Sequence, residues 1–338
     1  MVGMLLTSRQ VRFYYPHLVF LQNLSNPQRQ ERFDMKDRKE FYSLLAGIDG
    51  KPFADYEKVI GDFDFARYVI KCPNLDTAPE AENPVFTIRI PQSIAEIPGH
   101  LYDSPVRRTA LEDLLTRNLS EAVGCIARFN ESGWARRNII VAEPGQKILP
   151  RTSVVVTKEY IDACIRIALP YKVFAGGSED SRLVDAEMAR RVFFEDLPEV
   201  ISSSLFCCNM DVAETEDFVN TMEDADRVRQ TLGTMGMVSF VGEGSFLARE
   251  KGTDLPDYDK IAPFDVDEDV RAEIEVPNAG SIKGLGIPAG LTVVLGDIAN
   301  GRKDFMDALA AGVFNHIPGD GRENAVTVSD AVQVAVDI

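Results

Sequence analysis

Apolar residues recur at helical spacing from Arg38 onward: Phe41, Leu44, Leu45 and Ile48 share one face, and Gly47 and Gly50 close the segment. Tyr56 through Ile70 is a dense apolar run, with a strand expected over 66–70. A polar, proline-bearing loop at 73–84 precedes a second expected strand at 85–90, and Pro91 and Pro98 mark the turns after it. Asp103-Ser104-Pro105 caps a helix, VRRTALEDLLTRNLSEAVGCI, whose apolar stripe is Leu111, Leu114, Leu115 and Leu119. Short buried strands are expected at 138–142 and 153–157. The stretch 158–167 suits a strand or a helix, and Gly176-Gly177-Ser178 reads as a turn. Helical patterns follow at 186–194 and again from Leu197-Pro198-Glu199 through Leu205.

The second half begins with a charged helical segment at 211–232, apolar only at Phe218, Met222, Val228 and Leu232. A strand is expected at 237–241, then the tight loop Gly242-Glu243-Gly244-Ser245 and an acidic, loop-like stretch at 251–269. Strands are expected at 271–276 and 282–285 around the turn Pro277-Asn278-Ala279-Gly280. The pattern then predicts a strand at 291–295, a loop between Gly296 and Gly301, and a helix at 303–311. A glycine-rich turn, Gly319-Asp320-Gly321-Arg322, precedes a last strand. The whole reads as mixed α/β without internal repeats.

A strand feeding a helix through G-x-x-x-x-G is the frame of a phosphate-binding loop. Glycines let backbone N–H groups converge on an anion, and the helix N-terminus adds partial positive charge. Lys then Ser or Thr should follow the second glycine; here Arg302, Lys303 and Asp304 follow it. Taken alone, the spacing also fits an ordinary strand-to-helix turn.

Composition narrows the function classes. With 45% apolar and 26% charged residues in 338, the chain can bury a core of about two domains. The net charge of −17 argues against unaided binding to nucleic acid or an anionic membrane. Five cysteines (Cys72, Cys125, Cys164, Cys207, Cys208) show no metal-ligand spacing, and buried thiols in a reducing, cytoplasmic compartment are expected. His17, His100 and His316 are far apart in sequence and read as structural or solvated. No apolar run is long enough to span a bilayer. Arg107, Arg108 and Arg117 on the first long helix, with Arg136 and Arg137 beside Trp134, form the basic and aromatic set that RNA would use. The plainer reading of the helix arginines is a solvated face partnered by Glu112 and Asp113.

Blocks spread over about 40–330 carry a family resemblance: DSPVRRTALEDLL at 103–115, PRTSVVVTKEYIDACIRIALP at 150–170, FFEDLPEV at 193–200 and VSFVGEGSFLARE at 238–250. The most specific are VPNAGSIKGLGIPAGLTVVLG at 276–296 and GVFNHIPGDGRE at 312–323. The chain resembles the predicted ATPases of the ABC class, in which a mixed α+β N-terminal domain precedes an ABC-type nucleotide-binding domain. The resemblance implies an N-terminal mixed α/β domain over 37–207 and, over 208–338, the first part of a P-loop NTPase domain; residues 1–36, aromatic-rich and then polar without a clear period, read as a poorly ordered extension ahead of it.

It also implies ATP and Mg²⁺ as ligands, held in a dimer. Relatives carry a loop of the type GGGxHGKST. Laid onto it without gaps, Gly296 and Gly301 keep the outer glycines and Asn300 takes the His position. Asp297 and Ile298 replace inner glycines, and Arg302, Lys303 and Asp304 take the Lys-Ser-Thr positions. Asp297 would repel phosphate by about 1 kcal/mol or more. Arg302 keeps a positive charge in a different shape, and Lys303 puts a cation where the metal-binding hydroxyl belongs. An alternative register with one extra loop residue makes Lys303 the phosphate lysine and Asp304 the metal ligand. Gly319, Asp320, Gly321 and Arg322 form a secondary candidate, as a plain turn with an ion pair or as a neighbour of the nucleotide. No Walker B strand or signature segment follows. The resulting expectation is an ABC-class ATPase-like chain with a degenerate Walker A loop, inactive in hydrolysis by itself. A second copy or a partner chain would supply the missing half. The alternative is a non-catalytic binding module for RNA or a protein partner.

Overall fold

The computed structural model describes residues 35–73, 75, 83–127, 138–173, 182–260, 262–296 and 301–334. The expected extension up to residue 34, the turn at 176–178, Trp134, Arg136, Arg137, Asp297, Ile298 and Asn300 lie outside them.

Strand β1 (Lys36–Asp37) runs into α1 (Arg38–Gly47), then come β2 (Gly61–Asp64), β3 (Val69–Cys72), β4 (Val85–Pro91) and the single turn α2 (Gln92–Ala95). Helix α3 (Pro105–Ile126) follows, then β5 (Ile139–Ile140), β6 (Lys147–Ile148), β7 (Val154–Val156), β8 (Tyr160–Ile167), β9 (Tyr171–Lys172) and β10 (Leu183–Val184). Helices α4 (Ala186–Arg191), α5 (Leu197–Leu205) and α6 (Val212–Leu232) lead to β11 (Met237–Gly242), β12 (Arg271–Val276) and β13 (Gly280–Pro288). Helix α7 (Arg302–Ala311), β14 (Asn315–His316) and β15 (Ala325–Thr327) complete the order.

Two sheets organise these elements. The first runs β1-β2-β3-β4-β8-β5, with β7 beside β5 on the free edge of β8; only β1–β2 is parallel. The second runs β12-β13-β11-β15 and is antiparallel throughout. The short pair β14–β6 ties the later part of the chain to the earlier part.

Local chemistry accounts for the helix starts. Asp37 and Glu40 form a reciprocal capping box at 2.8 Å each way. Ser104 caps α3 by accepting from the Arg107 amide, with Pro105 in the first turn. Asp211 caps α6 by accepting from the Ala213 and Glu214 amides. The strands follow period-two burial: Ile161, Ala163, Ile165 and Ile167 of β8 all face the core. Phe41 of α1 meets Phe63 and Phe193 with ring centroids 4.4 and 5.1 Å apart. Helix α6 serves two cores. Phe218, Val219 and Met222 join the larger one under the first sheet, and Ala225, Val228 and Leu232 pack with Phe240, Ile274 and Val326 of the second.

Several expectations change. The strand expected at 66–70 breaks at Ala66, whose φ is +67°, and its amide donates to the Asp64 carboxylate at 2.6 Å. This local side-chain turn outweighs strand propensity and makes the β2–β3 hairpin. The ambiguous 158–167 is strand β8, and 282–285 extends to the longer β13. A π-helical segment, Val192–Asp196, joins α4 to α5. The strand expected at 291–295 does not form: Leu291, Val293 and Leu295 are 94%, 66% and 86% exposed. Among the described residues β11 is already flanked by β13 and β15, and this segment pairs with neither edge strand of that sheet.

Of the helix arginines, Arg108 is exposed and Arg117 pairs with Asp113 as expected, whereas Arg107 departs from a solvated face. Arg107 of α3 bonds Glu223 at 2.6 Å, Asn220 at 3.0 Å and the His100 carbonyl at 2.7 Å, locking α3 to α6. Arg117 bonds Asp113 at 2.8 Å and the Lys147 carbonyl at 3.2 Å. Neither offers a free cation to a nucleic acid. All five thiols are free, as expected, but Cys125 and Cys208 are exposed rather than buried. Cys72 is buried, and burial pushes its pKa to about 12. Among the described residues no helix is long and apolar enough to cross a membrane.

Asp113 is fully buried, and its carboxylate takes Arg117, Arg151 and the Leu149 amide. Asp113→Ala strands two cations in the α3 interface. We expect a loss of about 3 kcal/mol in urea unfolding, with a smaller loss for Arg117→Ala, which faces partial solvent.

Candidate functional site

Helix α7 begins at Gly301, which is left-handed at φ +77° and gives no side-chain cap. The first turn of a helix leaves its amides without intrahelical partners. Those of Arg302, Lys303 and Asp304 therefore open at the end where the helix dipole is positive. Gly296 lies close by: a Cβ added there would come 3.8 Å from Cβ of Arg302. The two outer glycines of the loop thus flank the start of the helix.

The side chains after Gly301 part company. Lys303 pairs with Asp307 one turn on, and that hydrogen bond raises the pKa of its ammonium. Asp304 sits in the first turn. Phe305 stacks on Phe264 from the acidic loop, centroids 5.7 Å apart at 21°. Behind the helix, Leu309 O accepts from Thr327 Oγ1 at 2.7 Å. Gly312 approaches β15 so closely that a Cβ would lie 2.7 Å from the Ala325 carbonyl.

The ion pair of the second glycine turn is buried rather than on the surface, although Gly319 itself is exposed. Asp320 Oδ2 accepts from Arg249 Nη2 and bonds His316 Nδ1, both at 2.6 Å. Arg249 also donates to the Phe246 and Ala248 carbonyls at 3.1 Å. Arg322 donates from Nε to the Leu247 carbonyl at 3.1 Å and from Nη2 to the same oxygen. Burial, then the neighbouring Arg249, push the Arg322 pKa down to about 10 against the opposing pull of Asp320, Asp307 and Asp304. The Phe246 amide donates to Gly321 O at 2.8 Å, which sews the turn to the loop after β11.

The two candidate clusters influence each other electrostatically. Arg322 lies within electrostatic reach of Asp304 and Asp307 on α7, and Lys303 feels Arg322 in return. Asn300 lies outside the described residues. Gly296 lies beside Arg302 at the start of α7, and Gly321 packs on Phe246 in the loop after β11. Gly319 serves the turn, with φ +76° and open space around it. Sequence reading missed Arg249 and His316 as members. Their signal lies in charge complementarity between two separated blocks, FLARE and NHIPGDGRE, which no local spacing connects.

Comparison with known proteins fits this geometry. Residues 38–208 match the family model described as ATPase of the ABC class N-terminal, and residues 211–337 match the P-loop domain of ABC ATPases. A stretch of 109 residues is 32% identical to the uncharacterized protein MJ1628 of Methanocaldococcus jannaschii, covering 30% of this chain and 24% of that protein. The chain thus spans a minor part of that relative in the match.

The glycine turn separates two physical effects. At Gly321, with φ +82°, a Cβ would meet Phe246 Cβ at 2.7 Å and its carbonyl at 2.8 Å; at Gly319 only the backbone angle opposes a side chain. Gly321→Ala is expected to destabilise by roughly 2–4 kcal/mol and Gly319→Ala by roughly 1–2 kcal/mol. Thermal unfolding of the two variants checks the order.

Proposed function

The chain belongs to the ABC-class ATPase family, and on that premise we propose that it binds nucleotide phosphates, those of ATP first, at the N-terminus of α7 without hydrolysing ATP by itself. One observation carries the reading: α7 starts at an uncapped left-handed glycine inside the stretch that matches the P-loop domain. Unpaired amides and the helix dipole attract a phosphate there. Arg302 is the first residue of the helix, directly after Gly301, which favours the ungapped register in which it takes the Lys position.

The anion and the metal fit this site unequally. The glycine-flanked helix start suits phosphate. Mg²⁺ would need a hydroxyl at residue 303, and Lys303 instead carries an ammonium held on Asp307. When bound, Mg²⁺ neutralises phosphate charge in this class of site; the chain's own contribution is amides, Arg302 and a water-excluding wall at Phe264 and Phe305. Asp304 in the same turn opposes phosphate charge and weakens the site. Completion by a second copy or a partner chain belongs to the same reading, since hydrolysis in this class uses a shared site.

Titration calorimetry of the full chain tests it. ATP is expected to bind with a Kd on the order of 0.1–1 mM, within threefold of the same value with Mg²⁺ or with a chelator. Phosphate release should not exceed the buffer blank. Arg302→Ala should weaken binding about tenfold, one lost charged hydrogen bond, while Lys303→Ala changes it less than twofold. No heat and no thermal shift at saturating ATP would sink the proposal.

A further inference from the structure

A cavity of about 520 Å³ opens beside α1, and four lysines line it: Lys36, Lys39, Lys51 and Lys58. They come from separate elements, each held by its own contacts. Lys36 lies in β1, whose register on β2 sets it opposite Phe63. Lys39 lies in the first turn of α1. Lys51 follows that helix, and its carbonyl accepts from the Val184 amide at 2.8 Å. Lys58 is in the last turn of the 3₁₀ helix Phe53–Val59. Buried Tyr56 anchors that turn by donating its hydroxyl to the Pro170 carbonyl at 2.7 Å. Leu44 and Ile48 add an apolar wall.

The charge around this cavity is not balanced from within. Two carboxylates line it as well, but Asp37 and Glu40 each accept from the other's amide at 2.8 Å in the capping box. Lys58 pairs with Asp55 at 2.6 Å, and Lys36 donates to the Ile60 carbonyl at 3.5 Å. Among the described residues the side chains of Lys39 and Lys51 have no ion pair or hydrogen bond. Lys39 also works against its own helix. A cation in the first turn opposes the helix dipole, and α1 has no basic residue in its last turn, where one would stabilise it. Helix stability therefore does not account for Lys39, whereas an anion in the cavity does.

We propose that this cavity binds a compact, polyphosphorylated small molecule, held by Lys39 and Lys51 first, with Lys36 and Lys58 completing its positive wall. Ammonium groups from separate elements suit clustered phosphates, which lysine meets as a point charge rather than a planar fork. The volume lies in the range of small-molecule sites. The chain's net charge of −17 favours a compact ligand over a polymer. A confined anion stays within the short reach of the lysines, while an extended nucleic-acid strand would run out over the acidic remainder of the molecule. The cavity shares no residue with the start of α7, and the inference does not rest on the phosphate-binding reading there.

The test titrates the full chain with myo-inositol hexakisphosphate by calorimetry at physiological ionic strength. Wild type should bind it, with an affinity that falls as salt rises. Lys39→Gln and Lys51→Gln should each weaken binding about threefold, and the double variant about tenfold. The paired change Lys158→Gln with Lys251→Gln removes equal charge outside the cavity and should leave the affinity within about twofold of wild type. Both cavity lysines are exposed, and Lys39→Gln removes a charge that opposes the dipole, so it should unfold thermally at or above the wild-type temperature. Equal losses in the two double variants would reveal a diffuse charge effect and overturn the proposal. So would lowered thermal stability in the cavity variants with unchanged affinity, which gives these lysines a structural role. A loss that follows Arg302→Ala instead assigns the ligand to α7, overturning the inference and sparing the reading there. Tighter binding of a single-stranded oligonucleotide through the same lysines overturns it in favour of a nucleic-acid groove. No binding by wild type removes the inference and leaves ATP binding at α7 to its own titration.

Discussion

The seat of α7 rests on one guanidinium. Arg229, in the last turn of α6, donates to Gly312 O at 2.9 Å, Thr327 O at 3.0 Å and Asn315 Oδ1 at 2.5 Å. These acceptors lie at the end of α7, at the end of β15 and in β14, so three elements meet on one side chain. Burial lowers the pKa of Arg229, and the acceptors offset that penalty by hydrogen bonds to the charged form. A cation at the C-terminal end of α7 also matches its dipole. The helix start is placed indirectly: fixing the far end of a rigid ten-residue helix against β15 determines where Gly301 opens. Gly312 is part of the same constraint, because any side chain there would collide with the Ala325 carbonyl.

Much of this was legible in the sequence, and the divide follows the range of the interaction. Helices announced by caps and by three-to-four spacing appear where the pattern put them, as with Ser104-Pro105 before α3 and Asp211 before α6. So does α7 after Gly301. What failed depended on partners far away in the chain. Arg107 reads as an exposed basic residue from its own helix, yet its partners are on α6, more than a hundred positions on. Asp320 reads as a turn residue, yet Arg249 comes to it from the loop after β11, 71 positions earlier. Local exceptions such as the Ala66 turn were missed for the opposite reason: a single side-chain hydrogen bond reversed a pattern read over several residues.

The segment 291–296 shows the same divide in the energetics. Its sequence, LTVVLG, is strongly strand-forming by composition. Strand propensity describes how well a residue fits a pleated, partly buried surface, and it gives nothing without a ladder. Here the second sheet forms as β12-β13-β11-β15 without this segment, and Leu291, Val293 and Leu295 are exposed. Gly284 and Gly286 show how tightly that sheet is already filled. A Cβ at either would lie 2.2 Å from the Val241 carbonyl or 2.4 Å from Met237 Sδ. Close backbone approach at β13 leaves no room for the segment to insert beside β11.

Net charge gives little guidance to a niche of this kind. The chain carries −17, which taken as a distant field would repel an anion. At physiological ionic strength such fields are screened beyond about 8 Å, whereas groups in a partly buried niche interact with little screening. At the start of α7, Arg302 and the helix amides oppose Asp304, with Lys303 and Asp307 paired to each other. Asp320 binds Arg249 and His316 through one oxygen and acts on Arg322 by charge alone. The sign of the local field thus turns on which carboxylate each cation holds, and Lys303, held along α7 by Asp307, is the one withdrawn from the helix start.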